Sequence, residues 1–189
     1  MGLEEKDRED ALVRAYSESV KRVGTFSYTS SAIVLNPIRD RTHFHLIYAT
    51  RDPKGIEVFK DAEKKAMPVM EQTRDKAQKR AREERTGQKE LRLFSSATAQ
   101  DPSAHFRSLR KRYASRARTA VQQLIQAKRE LVYDEAWSLA MTFPLTWESD
   151  LKEWLTDWNN SGCLKFAGMS ENRRVPKRGQ NVQIVWKAK

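Results

Sequence analysis

The sequence predicts an α+β fold in two units joined by a charged connector. Three observations carry this. Two runs rich in aromatic and β-branched residues, 26–35 and 42–50, lie close enough to pair as an antiparallel hairpin between stretches of helical spacing. Residues 68–100 contain almost nothing to bury. Residues 101–189 read as three helices followed by two short strands around a basic loop.

Taken in order, residues 8–23 form the first helix, with Leu12, Ala15, Tyr16, Ser19, Val20 and Val23 on one side and Gly24 as the stop. Pro37 ends the first strand because it removes a ladder donor. The Arg51–Gly55 turn, with Pro53, leads into a helix from Ile56 to Met67 that turns Ile56, Phe59 and Ala62 or Glu63 to one side. Its apolar face fades after Ala66, and a solvated helix passes into a linker. The expected units are therefore 1–67, a connector 68–100 and 101–189. The first unit is small, and small units bury too little apolar surface to be robust alone. It is expected to pack on the second unit or to lack a partner surface.

After an entrance at Asp101-Pro102-Ser103, the residues Phe106, Leu109, Tyr113, Ala117, Val121, Leu124 and Ile125 make an apolar stripe reaching about Ala127. A second helix is expected from Leu131 to Phe143, burying Val132, Ala136, Leu139, Ala140 and Phe143, with Pro144 closing it. Thr146 suits the N-cap of a third helix, and Glu148 and Asp150 suit its first turn. Trp147, Leu151, Trp154, Leu155 and Trp158 form its stripe, and Ser161-Gly162 ends it in a left-handed cap. Strands at 163–166 and 181–186 flank the basic loop 171–179. Helices followed by a hairpin with a basic tip outline a winged helix.

The 189 residues carry a formal charge of +11 at a mean hydropathy of −0.79. The charge is concentrated. Residues 1–59 are neutral and residues 131–170 carry −4, while residues 105–130 carry +7 and residues 171–189 carry +5. A concentrated basic patch holds a polyanion by releasing counterions. The candidate nucleic-acid contacts are Arg107, Arg110, Lys111, Arg112, Arg116 and Arg118 on the helix, and Arg173, Arg174, Lys177 and Arg178 on the wing. The Trp147–Asn160 helix shows Glu148, Asp150, Glu153 and Asp157, which phosphate repels, so it is not expected to enter a groove. Three tryptophans on one short helix, Trp147, Trp154 and Trp158, make it the candidate partner interface.

No two of the seven glycines have the spacing of a dinucleotide fingerprint or a phosphate loop. One cysteine, Cys163, excludes an internal disulfide and predicts a reducing, cytoplasmic setting. No apolar run approaches a membrane span, and the first ten residues show no signal-peptide pattern. His43-Phe44-His45 is the sharpest local feature. Two histidines at i and i+2 on a strand share a face and invite a metal. With Tyr113 as a downstream nucleophile they suggest a metal-dependent endonuclease that nicks single-stranded DNA. Without a third ligand they line the polar face of a strand, and no metal or catalytic residue is expected.

The stretch Phe44–Met67 resembles the three-Cys-motif partner protein family (TcmP). The resemblance rests on Ala49-Thr50-Arg51, Pro53-Lys54-Gly55 and the helix start from Ile56 to Ala62, with a similar order of elements on either side. It implies a protein partner with a three-cysteine motif. It also implies that the hairpin is the last two strands of a methyltransferase-like sheet whose cofactor loop and early strands are missing here. A self-contained S-adenosylmethionine site is then not expected. The leading expectation is a non-enzymatic basic module that docks a protein partner and nucleic acid. The alternative is the nicking endonuclease of His43, His45 and Tyr113. A third reading is a fragment whose missing part carries the chemistry.

Overall fold

A computed structural model describes residues 5–87, 104–170, 173 and 175–187. Its fold is mixed α+β. Helix α1, Glu5–Val23, leads into an antiparallel hairpin of β1, Tyr28–Leu35, and β2, Thr42–Thr50. Helix α2, Pro53–Thr86, follows without a break. Then come α3, Ala104–Lys128, and β3, Glu130–Val132. Helices α4, Tyr133–Thr142, and α5, Glu148–Asn160, precede β4, Leu164–Ala167, and β5, Gln183–Trp186. The last three strands form an antiparallel sheet in the order β3-β5-β4. No helix among the described residues is long and apolar enough to cross a membrane.

Several expectations are corrected. Helix α2 continues past Met67 as a largely solvated helix, as expected, but it keeps a buried line that the fading apolar face did not announce. It runs 34 residues, about 50 Å at the α-helical rise, straight through Pro68. Ile56, Lys60, Glu63, Met67 and Arg74 keep one buried line, so a charged inner face replaces the apolar one, and Ala62 lies outside. The part of the connector from 88 to 103, with the entrance expected at 101–103, lies outside the described residues.

Leu131 does not open a helix. Arg129 takes a left-handed conformation (φ 63°) and ends α3, so Leu131 continues as strand opposite Ile184. Thr146 is not the cap of α5: its hydroxyl donates to the Pro144 carbonyl at 3.3 Å, and Trp147 holds the N-cap position. Helix α1 turns its expected apolar side outward except at Val20. Leu12, Tyr16 and Val23 are 71%, 62% and 81% exposed, while Val13, Ser17 and Val20 face inward.

The first unit packs on the second, through two cores. The larger holds Ala117, Val121, Ile125, Tyr133, Trp137, Leu151, Leu155 and Ile184, with Ile56 of α2 inserted. The smaller joins Ile33, Leu35 and Met67 to Leu109, Tyr113 and Leu145. β1 is also hydrogen-bonded to the end of α4, where the hydroxyls of Ser30 and Ser31 donate to the carbonyls of Met141 (2.7 Å) and Thr142 (2.8 Å).

The stretch that carries the family resemblance is a structural corner. Asp52 caps α2 by accepting from the Lys54 N–H at 2.8 Å. Gly55 lies so close to Tyr48 that an added Cβ would sit 2.7 Å from its hydroxyl. Arg51 reaches back to the Gly24 carbonyl and the Thr25 hydroxyl, both at 3.0 Å, and stacks over Phe26. These residues tie the open end of the hairpin to α1 and α2.

Candidate functional site

The basic helix α3 is an internal partner before it is an external one. Arg110 donates to Asp150 at 2.5 Å and lies 4.1 Å over the Trp147 ring. Arg118 pairs with Asp157 at 3.5 Å. Arg112 and Arg116 both pair with Asp10 of α1, which also accepts from the Tyr113 hydroxyl at 2.9 Å. Three carboxylates of α5 and α1 thus engage four of the six candidate cations, with Asp10 shared by two. Arg107 and Lys111 lie on the exposed side.

On the basic loop before β5, Arg173 and Lys177 are exposed, and neither has an ion pair among the described residues. Arg178 is turned inward instead. Its guanidinium donates to Glu57 of α2 at 2.6 and 2.9 Å and stacks over Trp137. Arg174 lies outside the described residues. Burial raises the Glu57 carboxyl, but the hydrogen bonds and charges of Lys54 and Arg178 outweigh it and hold the group below its ordinary value. An open groove of about 510 Å³ separates α2, the start of α5 and the basic loop.

The tryptophan interface is corrected. Trp154 and Trp158 are each 6% exposed and belong to the larger core, because α5 packs its whole stripe inward. Trp147 is half-buried, with the Arg110 and Lys64 cations over its ring.

The two histidines do not act together. His45 pairs with Ile33 in the ladder, but Val34 pairs with Phe44 and Leu35 with Thr42, so His43 is the extra residue of a bulge. His43 is exposed against Phe44, whereas His45 is buried with its Nε2 3.0 Å from Glu9. Among the described residues no three His, Cys, Asp or Glu side chains gather with metal-ligating geometry. Burial pushes the Tyr113 phenol up, and the neighbouring Asp10 charge and hydrogen bond push it further.

Sequence reasoning missed the polar groups that join the units. The Lys60 ammonium donates to Glu63 at 3.0 Å, to the Ser31 carbonyl at 3.2 Å and to the Phe143 carbonyl at 2.6 Å. Glu63 accepts from the Leu145 N–H at 2.9 Å. Arg74, 3% exposed, holds the hairpin turn through the Asn36 carbonyl and Asp40. A signal was present: Ile56, Lys60, Glu63, Met67 and Arg74 recur at helical spacing.

The open edge of β2 is the most conspicuous unsatisfied surface. Among the described residues the hairpin sheet has two strands, and β1 is covered by the helices. Phe44 and Leu46 share a face with Tyr48, which stacks on Phe59 of α2, yet they are 50% and 51% exposed. No protein-family model, curated protein or solved structure matches this chain.

Proposed function

We propose that this chain is a docking module whose β2 edge receives a strand from a protein partner. The observation that carries the reading is an edge strand showing Phe44 and Leu46 half exposed, with a helix on each face of the sheet and apolar residues left outward on both helices (Leu12 and Tyr16 on α1, Val58 on α2). Edge strands with unpaired backbone and apolar side chains invite pairing. Burying the exposed halves of Phe44 and Leu46 returns about 1 kcal/mol each, beside the new ladder bonds. The resemblance to three-Cys-motif partner proteins supports a three-cysteine-motif protein as that partner, and a hairpin that forms the rim of a larger, methyltransferase-like sheet. The order α3-β3-α4-α5-β4-β5, with its β3-β5-β4 sheet, supports a winged-helix second unit.

The test is binding of the full chain to a three-cysteine-motif protein of the same genome. Leu46→Lys and Phe44→Lys should each weaken binding at least tenfold without lowering the melting temperature. Unchanged binding in both variants removes the edge from the account.

A second ligand, nucleic acid, is favoured by the free cations of the wing. With four α3 arginines engaged, Arg173 and Lys177 carry this reading, and the exposed Arg107 and Lys111 of α3 are its rival surface. Arg173→Glu with Lys177→Glu should abolish retention on a single-stranded oligonucleotide and flatten its salt dependence. Retention lost instead on Arg107→Glu with Lys111→Glu would return the surface to α3.

A further inference from the structure

Helix α1 is attached to the body differently from the other helices. Among the described residues neither apolar core contains a side chain of α1, and its Leu12, Tyr16 and Val23 face outward. Charged groups hold it instead. Glu9 pairs with His45 of β2 at 3.0 Å, Arg14 lies over the Phe143 ring, and Asp10 is bound by Arg112, Arg116 and Tyr113 of α3. Val13, Ser17 and Val20 face inward only half-buried, and a cleft of about 180 Å³ remains between α1, β1, α3 and the end of α4. Voids of that size are few in a well-packed interior, so lifting α1 forfeits little apolar burial.

What α1 covers is suited to an oxyanion. Arg112, Tyr113 and Arg116 stand at i, i+1 and i+4 of α3, and their two guanidinium groups and phenol hydroxyl converge on one carboxylate. The two arginine side chains are 23% and 36% exposed, so the cluster lies at the surface rather than in the core. A phosphate group offers more acceptor oxygens than that carboxylate, and paired arginines take it by charge-assisted hydrogen bonds. Asp10 stands where such a group would sit.

The other acidic partners of α3 are fixed. Asp150 and Asp157 belong to α5, whose Leu151, Trp154, Leu155 and Trp158 are seated in the larger core. Asp10 is anchored by no such stripe. A hinge is also present at the end of α1, where Arg51 keeps Gly24 and Thr25 on the hairpin through their carbonyl and hydroxyl, both at 3.0 Å.

We propose that α1 is an autoinhibitory strap: Asp10 occupies a phosphate site formed by Arg112, Arg116 and Tyr113 on α3, and the phosphate groups of a single-stranded nucleic acid or of a free polyphosphate displace it. The nucleic-acid source rests on the nucleic-acid reading above; the masked site does not.

The full chain is titrated with a labelled single-stranded oligonucleotide and, separately, with tripolyphosphate. Asp10→Ala should bind both about tenfold tighter than the unaltered chain, and its oligonucleotide affinity should fall more steeply with salt, by about 1.4 in the log–log slope for two added contacts. Asp10→Asn, which keeps the shape of the side chain, should reproduce that gain. Glu18→Gln removes the same charge from an exposed position of the same helix and should change affinity little. Arg112→Gln with Arg116→Gln should erase the gain of Asp10→Ala. By linkage, either ligand at saturation should speed amide exchange in α1 of the unaltered chain and leave α5 unchanged. Three results overturn the proposal: equal gains from Asp10→Ala and Glu18→Gln, a gain that survives the double arginine replacement, or a saturated, unaltered chain whose α1 exchange is unchanged. A gain for tripolyphosphate alone keeps the masked site and removes nucleic acid as its ligand.

Discussion

Lys60→Met tests what joins the two units. Lys60 and Glu63 side chains are 5% and 1% exposed, so the pair is sealed from water. Burial pulls the ammonium down from its usual value, and Glu63 pulls it back. Methionine keeps the stem but removes all three N–H···O bonds. It strands the Glu63 carboxylate with one donor, the Leu145 N–H, and leaves the carbonyls of Ser31 and Phe143 without Lys60. Breaking one side of a buried ion pair costs about 3–5 kcal/mol. For a chain of this length that lowers the melting temperature by roughly 10 °C. Urea unfolding by circular dichroism measures it. The double variant Lys60→Met with Glu63→Leu removes the stranded carboxylate, so it should recover at least ~2 kcal/mol relative to Lys60→Met alone. A Lys60→Met cost below about 1 kcal/mol, or two single costs that simply add, would refute the assignment of Lys60 as the pin.

Two further outcomes are expected. Asp10→Ala removes the acceptor of Arg112, Arg116 and Tyr113, so α1 should exchange its amides faster, and the Tyr113 phenol should ionise at lower pH in an ultraviolet titration. The Glu57 carboxyl is held below its unfolded value near 4.5, so it contributes stability above that pH and loses it as the pH falls through the lowered folded value; Glu57→Gln should flatten that acid limb in unfolding curves measured between pH 5 and 3.

The elements that were legible in the sequence are those whose signal is local. Thr42–Thr50 and the α3 stripe were readable because period-2 and period-3.6 patterns need no partner to be seen. β3 was not, because three residues, Glu130-Leu131-Val132, become a strand only when β5 returns some fifty residues later. The continuing helix beyond Met67 was legible, but the buried face of α2 was missed for another reason. Its inner face is charged, and periodicity counted in apolar residues does not register Lys60, Glu63 and Arg74. The outward turn of α1 is a third kind of failure. Leu12, Tyr16 and Val23 make a real stripe, but a stripe does not say whether this chain or another surface covers it. For the candidate site, residue types were legible and partnerships were not. Trp154 and Trp158 suit an interface as well as a core until α5 is placed against α3.

Charge shows most clearly how the two levels of description relate. Residues 105–130 carry +7 and the next forty carry −4, and in the linear sequence that contrast reads as a basic surface beside an acidic one. The fold sets α3 against α5, so Arg110 meets Asp150 and Arg118 meets Asp157, while α1 brings Asp10 to Arg112 and Arg116. The Arg110 and Asp10 pairs are partly buried and are screened less by salt than the exposed Arg118–Asp157 pair. They order the packing of three helices, and they leave the molecule's excess positive charge elsewhere. Part of it is the basic loop, where Lys177 stands exposed beside an Arg178 that is tied down to Glu57. The Arg178 contact holds that loop against α2, the helix whose Lys60 holds the hairpin to the second unit. The basic tip, the interunit pin and the open strand edge are therefore parts of one framework centred on α2. A strand added at β2, as proposed, would bear on the helix to which Arg178 ties the basic loop.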